Sequence, residues 1–562
     1  MATPLARLEI LALDCQATGA APRGQLLEVG WARSSAARTA APKIESHAVA
    51  PDGPLRLPRR VRELTGLTAG ELRAAPRRGQ VGARLAAVVG ETAGAAPWVG
   101  VAHFARFEEP HLRALLSAGD GLPFELLCTH ELARRLLPTL PRRGLRAVAG
   151  YLGHPVPELR RARHHVAATL LIWRGLVPVL EENGIRDLEA LRDWLARTPP
   201  RRAPRSYPME ARVRRDLADG PGVYRFQRID GSVLYVGKAT SLRQRVNTYF
   251  QTARGHRDRT LEMLAQARAV DVTLTGSVLE AALLEADEIK RLRPPYNVAL
   301  KERDRRLGYW SWTVRGVALA PDERHPLGPF PLLVPRPPLS ALLQLLDSGG
   351  GARPAERLSA SVLGVPRRYA PPLQCFREGL ALFVRRHGRW WRRGPPVAGL
   401  CALGRRLERR RTLEASSLLA REDDEPKLGS ERWSAEGVTR VLEEVVARGA
   451  HTLRRARWLC ALSECALAWT PGDDAPARRC LVVSRGVVVA RRDLLPRDDV
   501  PAPATAPLRE RQESIDLAAY DRLSALSREL KALVAGDRDV TLRLGPDAVL
   551  DGKALGVALR CR

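Results

Sequence analysis

The spacing of apolar positions changes several times along the chain, and each change marks an element. Leu8 to Leu13 and Gln25 to Trp31 are short apolar runs of strand length, whereas Val81 to Val89, Leu112 to Leu116 and Val166 to Leu176 repeat at helical spacing. The first region therefore reads as α/β. Between Arg197 and Arg205, Pro199, Pro200 and Pro204 stand among arginines and interrupt both periods, so a linker is expected there. From Gly222 to Leu300 the predicted order is strand, tight turn, strand, helix, helix, strand, helix. Its first two strands, 223–227 and 233–237, flank Asp230-Gly231, a common hairpin signal that brings Tyr224 and Tyr235 into one neighbourhood. Ser241-Leu242-Arg243-Gln244 has the form of a capping box, which starts a helix at Leu242 with Arg245 in its first turn. Free amides of that helix start and Arg245 are then expected to face a phosphate. From Ser277 to Leu292 a helix is expected with Leu279, Leu283, Ala286 and Ile289 on its buried side and Glu280 off that stripe. Beyond residue 303 the pattern weakens into proline-rich segments, basic helices such as Glu443 to Leu462, and a strand pair near Leu481 to Ala490.

Size and charge sharpen this picture. At roughly 150 residues per domain, 562 residues imply about three or four domains. The 91 basic against 62 acidic side chains leave a formal charge of +29, the footprint of a polyanion binder, although an arginine-rich composition at large contributes to it. The cysteines at 15, 128, 375, 401, 460, 465, 480 and 561 form no Cys-x-x-Cys pair, so reduced, mostly buried thiols are expected and zinc is not. With no signal-like start and no apolar run of membrane length, a cytoplasmic location without membrane partners is expected.

The central segment holds groups suited to phosphodiester hydrolysis, which needs a base for the attacking water and a counter-charge for the developing oxyanion. A tyrosine at its ordinary pKa near 10 is ionised in only about one molecule in a thousand at pH 7, so Tyr224 needs a nearby cation to act as base. Lys238 and Arg245 are the candidates. Tyr224 and Tyr235 are also ordinary strand residues in kind, and Glu280 stands at the N3 position of a second Ser-x-x-Glu box, where capping alone would explain it.

Gly222-Val223-Tyr224 and Tyr235-Val236-Gly237, followed by Lys238, Arg245 and Glu280, resemble the GIY-YIG nucleases over about 95 residues from Pro221 through Tyr296-Asn297, and are similar to UvrC-type proteins. The resemblance implies that Tyr224 is the general base, that Tyr235 and Arg245 position and neutralise the phosphate, and that Glu280 binds one magnesium or manganese ion. Lys238 joins that catalytic set, and Arg243 and Asn297 are expected at the DNA. The family's LE-x-N segment reads Leu284-Glu285-Ala286-Asp287 here, placing an extra acid about 10 Å along the helix from Glu280.

Residues 7 to 180 resemble the DnaQ-like (DEDD) 3′ to 5′ exonucleases, whose ribonuclease-H-like sheet holds two metals with four carboxylates. Their Asp-x-Glu-x-Thr-Gly opening appears as Asp14-Cys15-Gln16-Ala17-Thr18-Gly19, and Glu108 stands where the family has aspartate. In the third motif the metal aspartate position holds His165 and the general-base histidine position holds Arg160. With Asp14 and Glu108 left of the four acids, the fold is expected to persist without two-metal chemistry, as a cleft that can hold a DNA strand.

Arg385 to Arg393, with Arg389, Trp390, Trp391 and Arg392, and Arg405 to Arg411 mix guanidinium groups with indoles, suited either to phosphate contact with base stacking or to a core anchor beside a solvated face. UvrC-type proteins carry a four-cysteine patch after the module; only Cys375 and Cys401 lie in that stretch, so no iron–sulphur cluster is predicted. The expectation is a multidomain α/β protein: a degenerate exonuclease domain of ribonuclease-H-like fold (1–185), a linker (186–205), a small α/β GIY-YIG domain (206–302) and a mixed, mainly helical basic region (303–562). Its expected function is single-strand nicking of DNA in excision repair, with DNA and a damage-loading repair protein as partners. The alternatives are a non-catalytic DNA-binding accessory protein and a 3′ to 5′ exonuclease.

Overall fold

In the computed structural model, the run at Leu8 to Leu13 lies inside β1 (Glu9–Ala17) and the run at Gln25 to Trp31 becomes β2 (Leu26–Ser34). The structure describes residues 3–560 apart from short stretches, the longest being 298–304, 419–432 and 504–513. It divides into two compact units, Met1–Leu274 with Pro294–Val298, and Thr275–Arg293 with Ala299–Arg562.

The first unit holds two sheets. With β3 (Glu45–Ala48), β4 (Trp98–Ala102) and β5 (Leu126–Cys128), the larger has the order β3-β2-β1-β4-β5. β1 pairs antiparallel with β2 and parallel with β4. Around it stand α1 (Ala105–Leu115), α2 (Leu145–Tyr151) and α3 (Ala162–Glu182). Helix α3 follows from its apolar stripe: Val166, Leu170, Trp173 and Leu176 share one core with Ile10, Val99 and Val101. The linker expected at 186–205 is shorter than its sequence suggested. Leu188–Arg197 is a helix, α4, capped by Asp187, whose carboxylate accepts the Ala190 N–H at 2.9 Å. Leu188 and Leu191 join the same core. Charged positions between its apolar ones gave α4 a polar look, and regular structure is lacking only in the described residues of the proline-bearing stretch after it.

The smaller sheet comprises β6 (Gly222–Gln227), β7 (Val233–Ala239) and β8 (Ala269–Leu274), all antiparallel, in the order β7-β6-β8. Gly231 closes the hairpin at φ 78° while the Asp230 carboxylate accepts the Ser232 N–H at 2.9 Å. Helices α5 (Leu242–Thr248) and α6 (Asp258–Leu264) lie between β7 and β8. This module sits on the part of the same unit built around β1 to β5. Arg268 lies 4.5 Å over the Tyr151 ring, Arg142 pairs with Asp258 at 3.0 Å, and Gln266 fills the space over Gly150, where a Cβ would stand 2.0 Å from its Oε1.

The second unit contains α7 (Val278–Leu292), a three-stranded sheet of β9 (Leu307–Trp310), β10 (Val317–Ala318) and β11 (Leu327–Pro331), and a set of helices including α8 (Ala435–Leu462). A five-stranded antiparallel sheet follows from β12 (Cys465–Trp469), β13 (Arg478–Ser484), β14 (Val487–Leu494), β15 (Val540–Leu544) and β16 (Ala548–Leu550), with α9 (Leu517–Ala535) against it. The strand pair expected near Leu481 to Ala490 is thus part of a larger sheet. Among the described residues the cysteines are free thiols, and no helix is long and apolar enough to cross a membrane. Cys561 lies outside them.

Candidate active site

The β6–β7 register sets Tyr224 opposite Gly237 and Phe226 opposite Tyr235. Side chains alternate along a strand, so Tyr224 and Tyr235 share a face, and their ring centroids are 6.1 Å apart. Gly237 has a steric role there: a Cβ at that position would lie 2.4 Å from the Tyr224 hydroxyl oxygen. At Gly222 an added Cβ would likewise lie 2.3 Å from the Thr273 carbonyl oxygen. The two triplets therefore owe their glycines to close approach. By the same alternation Lys238 leaves β7 on the face opposite Tyr235; the cation seen at the tyrosine cluster comes from the following helix.

That cation is Arg245. Tyr249, one turn further along, was missed by sequence reasoning; its hydroxyl lies 3.0 Å from that of Tyr224. The Arg245 guanidinium lies 5.1 Å from the Tyr249 ring centroid and donates to the Tyr249 hydroxyl at 3.4 Å. The signal that could have found Tyr249 is its place four residues after Arg245, on the same helix face. Burial lifts the Tyr224 pKa well above its ordinary value, Tyr249 and Tyr235 lift it further, and Arg245 only opposes this. The expected depression of this phenol is thus overturned: desolvation outweighs one partly solvated guanidinium. The helix start also differs from expectation. Leu242 N–H donates to the Gly220 carbonyl and Gln244 N–H to the Ser241 hydroxyl, so those amides are engaged.

Asn297, expected at the DNA, is buried; its amide accepts from Val236 N–H at 3.0 Å and donates to Val236 C=O at 2.8 Å, clamping β7. Arg243 is exposed, with its Nε donating to the Leu217 carbonyl at 2.8 Å.

Glu280 lies on α7 in the second unit. Ser277 caps that helix by accepting Glu280 N–H, as the Ser-x-x-Glu pattern predicts, but the carboxylate reaches Gly276 N–H (2.7 Å). Its other oxygen accepts from Arg479 Nη2 at 2.8 Å, and only 7% of the residue is exposed. Asp287 pairs with Arg522 at 2.8 Å. With both Glu280 oxygens engaged, the acid does not fit a bound divalent ion in this arrangement. Among the described residues no group of three or more His, Cys, Asp or Glu stands together to hold one.

In the amino-terminal part of the first unit, β1 brings Asp14 to His165, Nδ1 to Oδ1 3.2 Å, and Gln16 donates to the other Asp14 oxygen at 2.9 Å. Glu108 is buried and accepts Cys15 N–H at 2.6 Å; burial and the neighbouring Asp14 raise its pKa well above the carboxylate range. Burial opposes charge on His165, but Asp14 prevails and raises its pKa. The His165 imidazole and the Gln16 amide thus both face the Asp14 carboxylate. Arg160 is exposed, its N–H 3.4 Å from His164 Nδ1. In the second unit, Arg389 lies 5.5 Å over the Trp390 ring, and Trp390 packs on a core. Trp391 and Arg392 lie outside the described residues.

A tyrosine-bearing hairpin followed by a helix that carries an arginine defines a module of the GIY-YIG class. Residues 220–298 match the family model of the UvrC-like GIY-YIG domain, so the chain carries a UvrC-like GIY-YIG domain over that stretch. The UvrABC system protein C of Sphingopyxis alaskensis is 53% identical over 90 residues, 16% of this chain and 14% of that protein. That of Rhizobium meliloti is 48% identical over 94 residues, 17% and 14% respectively. The matched stretch therefore spans 14% of the length of these curated relatives. Among solved structures, the GIY-YIG N-terminal endonuclease domain of UvrC from Thermotoga maritima, bound to magnesium as its catalytic divalent cation, is 29% identical, covers 16% of this chain and all of that one, and has a TM-score of 0.15. The nuclease domain of 3'hExo, a DEDDh family member, is 14% identical over 31% of this chain and 92% of that one, at a TM-score of 0.27.

Proposed function

We propose that this protein nicks one strand of DNA by phosphodiester hydrolysis at the Tyr224–Tyr249–Arg245 cluster, in a repair incision of the excision type. The observation that carries the reading is the convergence of those three side chains on one face of a UvrC-like hairpin. The exposed Arg245 guanidinium receives the phosphate and offsets the charge that develops on it. The Tyr224 phenol is protonated in the free protein; once ionised, its phenolate takes a proton from the attacking water, the hydroxide adds to phosphorus and the departing sugar oxygen takes a proton from solvent, while Tyr249 fixes the phenol's direction. Tyr235 borders the same face. A divalent ion would polarise the phosphate, but Glu280 does not fit one while Arg479 holds it, and no step is assigned to the ion here. The +29 charge supports DNA as the partner, and a damage-loading protein would direct it to lesions in the cytoplasm.

In this reading residues 1–185 are a DnaQ-like domain without exonuclease chemistry, its Asp14 held by His165 and Gln16, and 206–302 form the incision module. Residues 303–562 supply basic surface, including Arg389. The test is nicking of supercoiled and lesion-bearing plasmid by the full chain with magnesium or manganese. Tyr224→Phe should abolish nicking and Asp14→Ala should spare it; the reverse pattern would move the activity to the exonuclease-like site. The Glu280–Arg479 pair and the raised Tyr224 pKa favour a second reading, a DNA-holding protein with a silent nuclease site. Retention of DNA affinity with no nicking under any metal condition would establish it.

A further inference from the structure

Helix α7 is bound into the second unit by more than its apolar side. Leu279, Ala282 and Leu283 share a core with Trp458, Leu467 and Leu526. Asp287 pairs with Arg522, and Lys290 lies 2.9 Å from Asp521. These contacts anchor the helix without Glu280. The Arg479 contact differs because it engages the one acid of α7 to which an ion-binding role is assigned.

Arg479 projects from β13. Gly276 leaves room for its head group, since a Cβ there would lie 2.8 Å from Nη2. The other terminal nitrogen, Nη1, donates to Asp493 on β14 at 2.9 Å, so the guanidinium is fixed at both ends. It approaches Glu280 Oε1 while Gly276 N–H occupies Oε2. A divalent ion needs the same oxygens and would meet a fixed positive charge beside them.

We propose that Arg479 is a built-in competitor for the cation position at Glu280, so that an ion binds this carboxylate only when β13 gives up its guanidinium. The proposal rests on the reading of Glu280 as the ion-binding acid. Linkage makes the competition reciprocal: whatever draws Arg479 away, such as a phosphate backbone that a guanidinium binds well, strengthens ion binding by the same factor.

The experiment is a Mn2+ titration of the full chain followed by electron paramagnetic resonance, for wild type, Arg479→Gln, Arg479→Lys and the double variant Glu280→Gln/Arg479→Gln. Arg479→Gln should bind Mn2+ at least tenfold more tightly than wild type, and the double variant should lose that gain. Arg479→Lys keeps the charge and should stay near wild type. Equal affinity in wild type and Arg479→Gln, or a gain that persists without Glu280, overturns the proposal. A second readout on the unmodified chain guards against a variant that fails to fold: saturating Mn2+ should speed hydrogen exchange in β13 and β14, and unchanged protection overturns the proposal. Plasmid nicking is scored in parallel. A Mn2+ gain without nicking in any variant would sink the nuclease reading alone, whereas nicking without the gain would sink the competitor alone.

Discussion

The hydroxyl of Tyr224 lies 3.0 Å from that of Tyr249, and this pair keeps the candidate base protonated. Burial is the largest cause of the raised Tyr224 pKa, with Tyr249 next and Arg245 opposing. The wild-type nicking rate should therefore still climb through pH 10 without levelling. Tyr249→Phe removes one of the raising causes, so its rate should level at lower pH. Tyr224→Phe should lose about 10² to 10⁴ in rate, the usual worth of a positioned acid–base group. Superimposable pH–rate profiles for wild type and Tyr249→Phe would defeat the assignment.

Much of this site was legible because it is local. The hairpin, the Ser241 and Ser277 caps and the shared face of Tyr224 and Tyr235 follow from period, turn chemistry and capping within a few residues. The order of elements from β6 to α7 was readable for the same reason. What could not be read depends on distance along the chain. Arg479 stands 199 residues from Glu280, and nothing in either neighbourhood announces the other. Asn297 looked like a DNA contact because its partner, the Val236 backbone 61 residues earlier, carries no side-chain signal. For Lys238, strand alternation rather than proximity in sequence decides the face from which the side chain leaves.

Gly237 tests the packing of the phenol. Replacing it with alanine puts a Cβ 2.4 Å from the Tyr224 hydroxyl oxygen and 2.8 Å from Tyr235 Cε1, so the phenol must move or the strands must part. Overpacking of this kind typically costs about 1–3 kcal/mol. The expected outcome of Gly237→Ala is a lower unfolding midpoint together with nicking reduced by more than tenfold. Wild-type stability and activity in this variant would show that the hairpin tolerates the methyl and that the close approach is incidental.

Asp14 and His165 offer a test of the amino-terminal site. Their ion pair, 3.2 Å across, is the main influence holding the His165 pKa up against burial. Asp14→Ala should drop the His165 pKa below its ordinary value, readable as an NMR titration of its ring protons, while nicking stays within twofold of wild type. Release of nucleotides from a labelled 3′ end by wild type, lost in Asp14→Ala, would restore the exonuclease reading.

His103 contributes stability that is lost on acidification. It is buried; its Nε2–H donates to the Arg143 carbonyl at 3.1 Å, and its Nδ1 lies 2.9 Å from the Thr129 hydroxyl. Burial, with His130 adding to it, lowers the pKa to about 3. The unfolded chain takes up this proton near pH 6.5 and the folded chain does not, so the stability contributed by His103 is complete above pH 6.5 and falls as pH drops towards 3. Between pH 7.5 and 5.0 the loss from this one group should be about 2 kcal/mol. Urea unfolding of wild type and His103→Gln at both pH values isolates it, because other titrating groups act on the two proteins alike. Wild type should lose about 2 kcal/mol more than the variant on acidification, and an equal loss in both would mean that the imidazole is not held neutral in this fold.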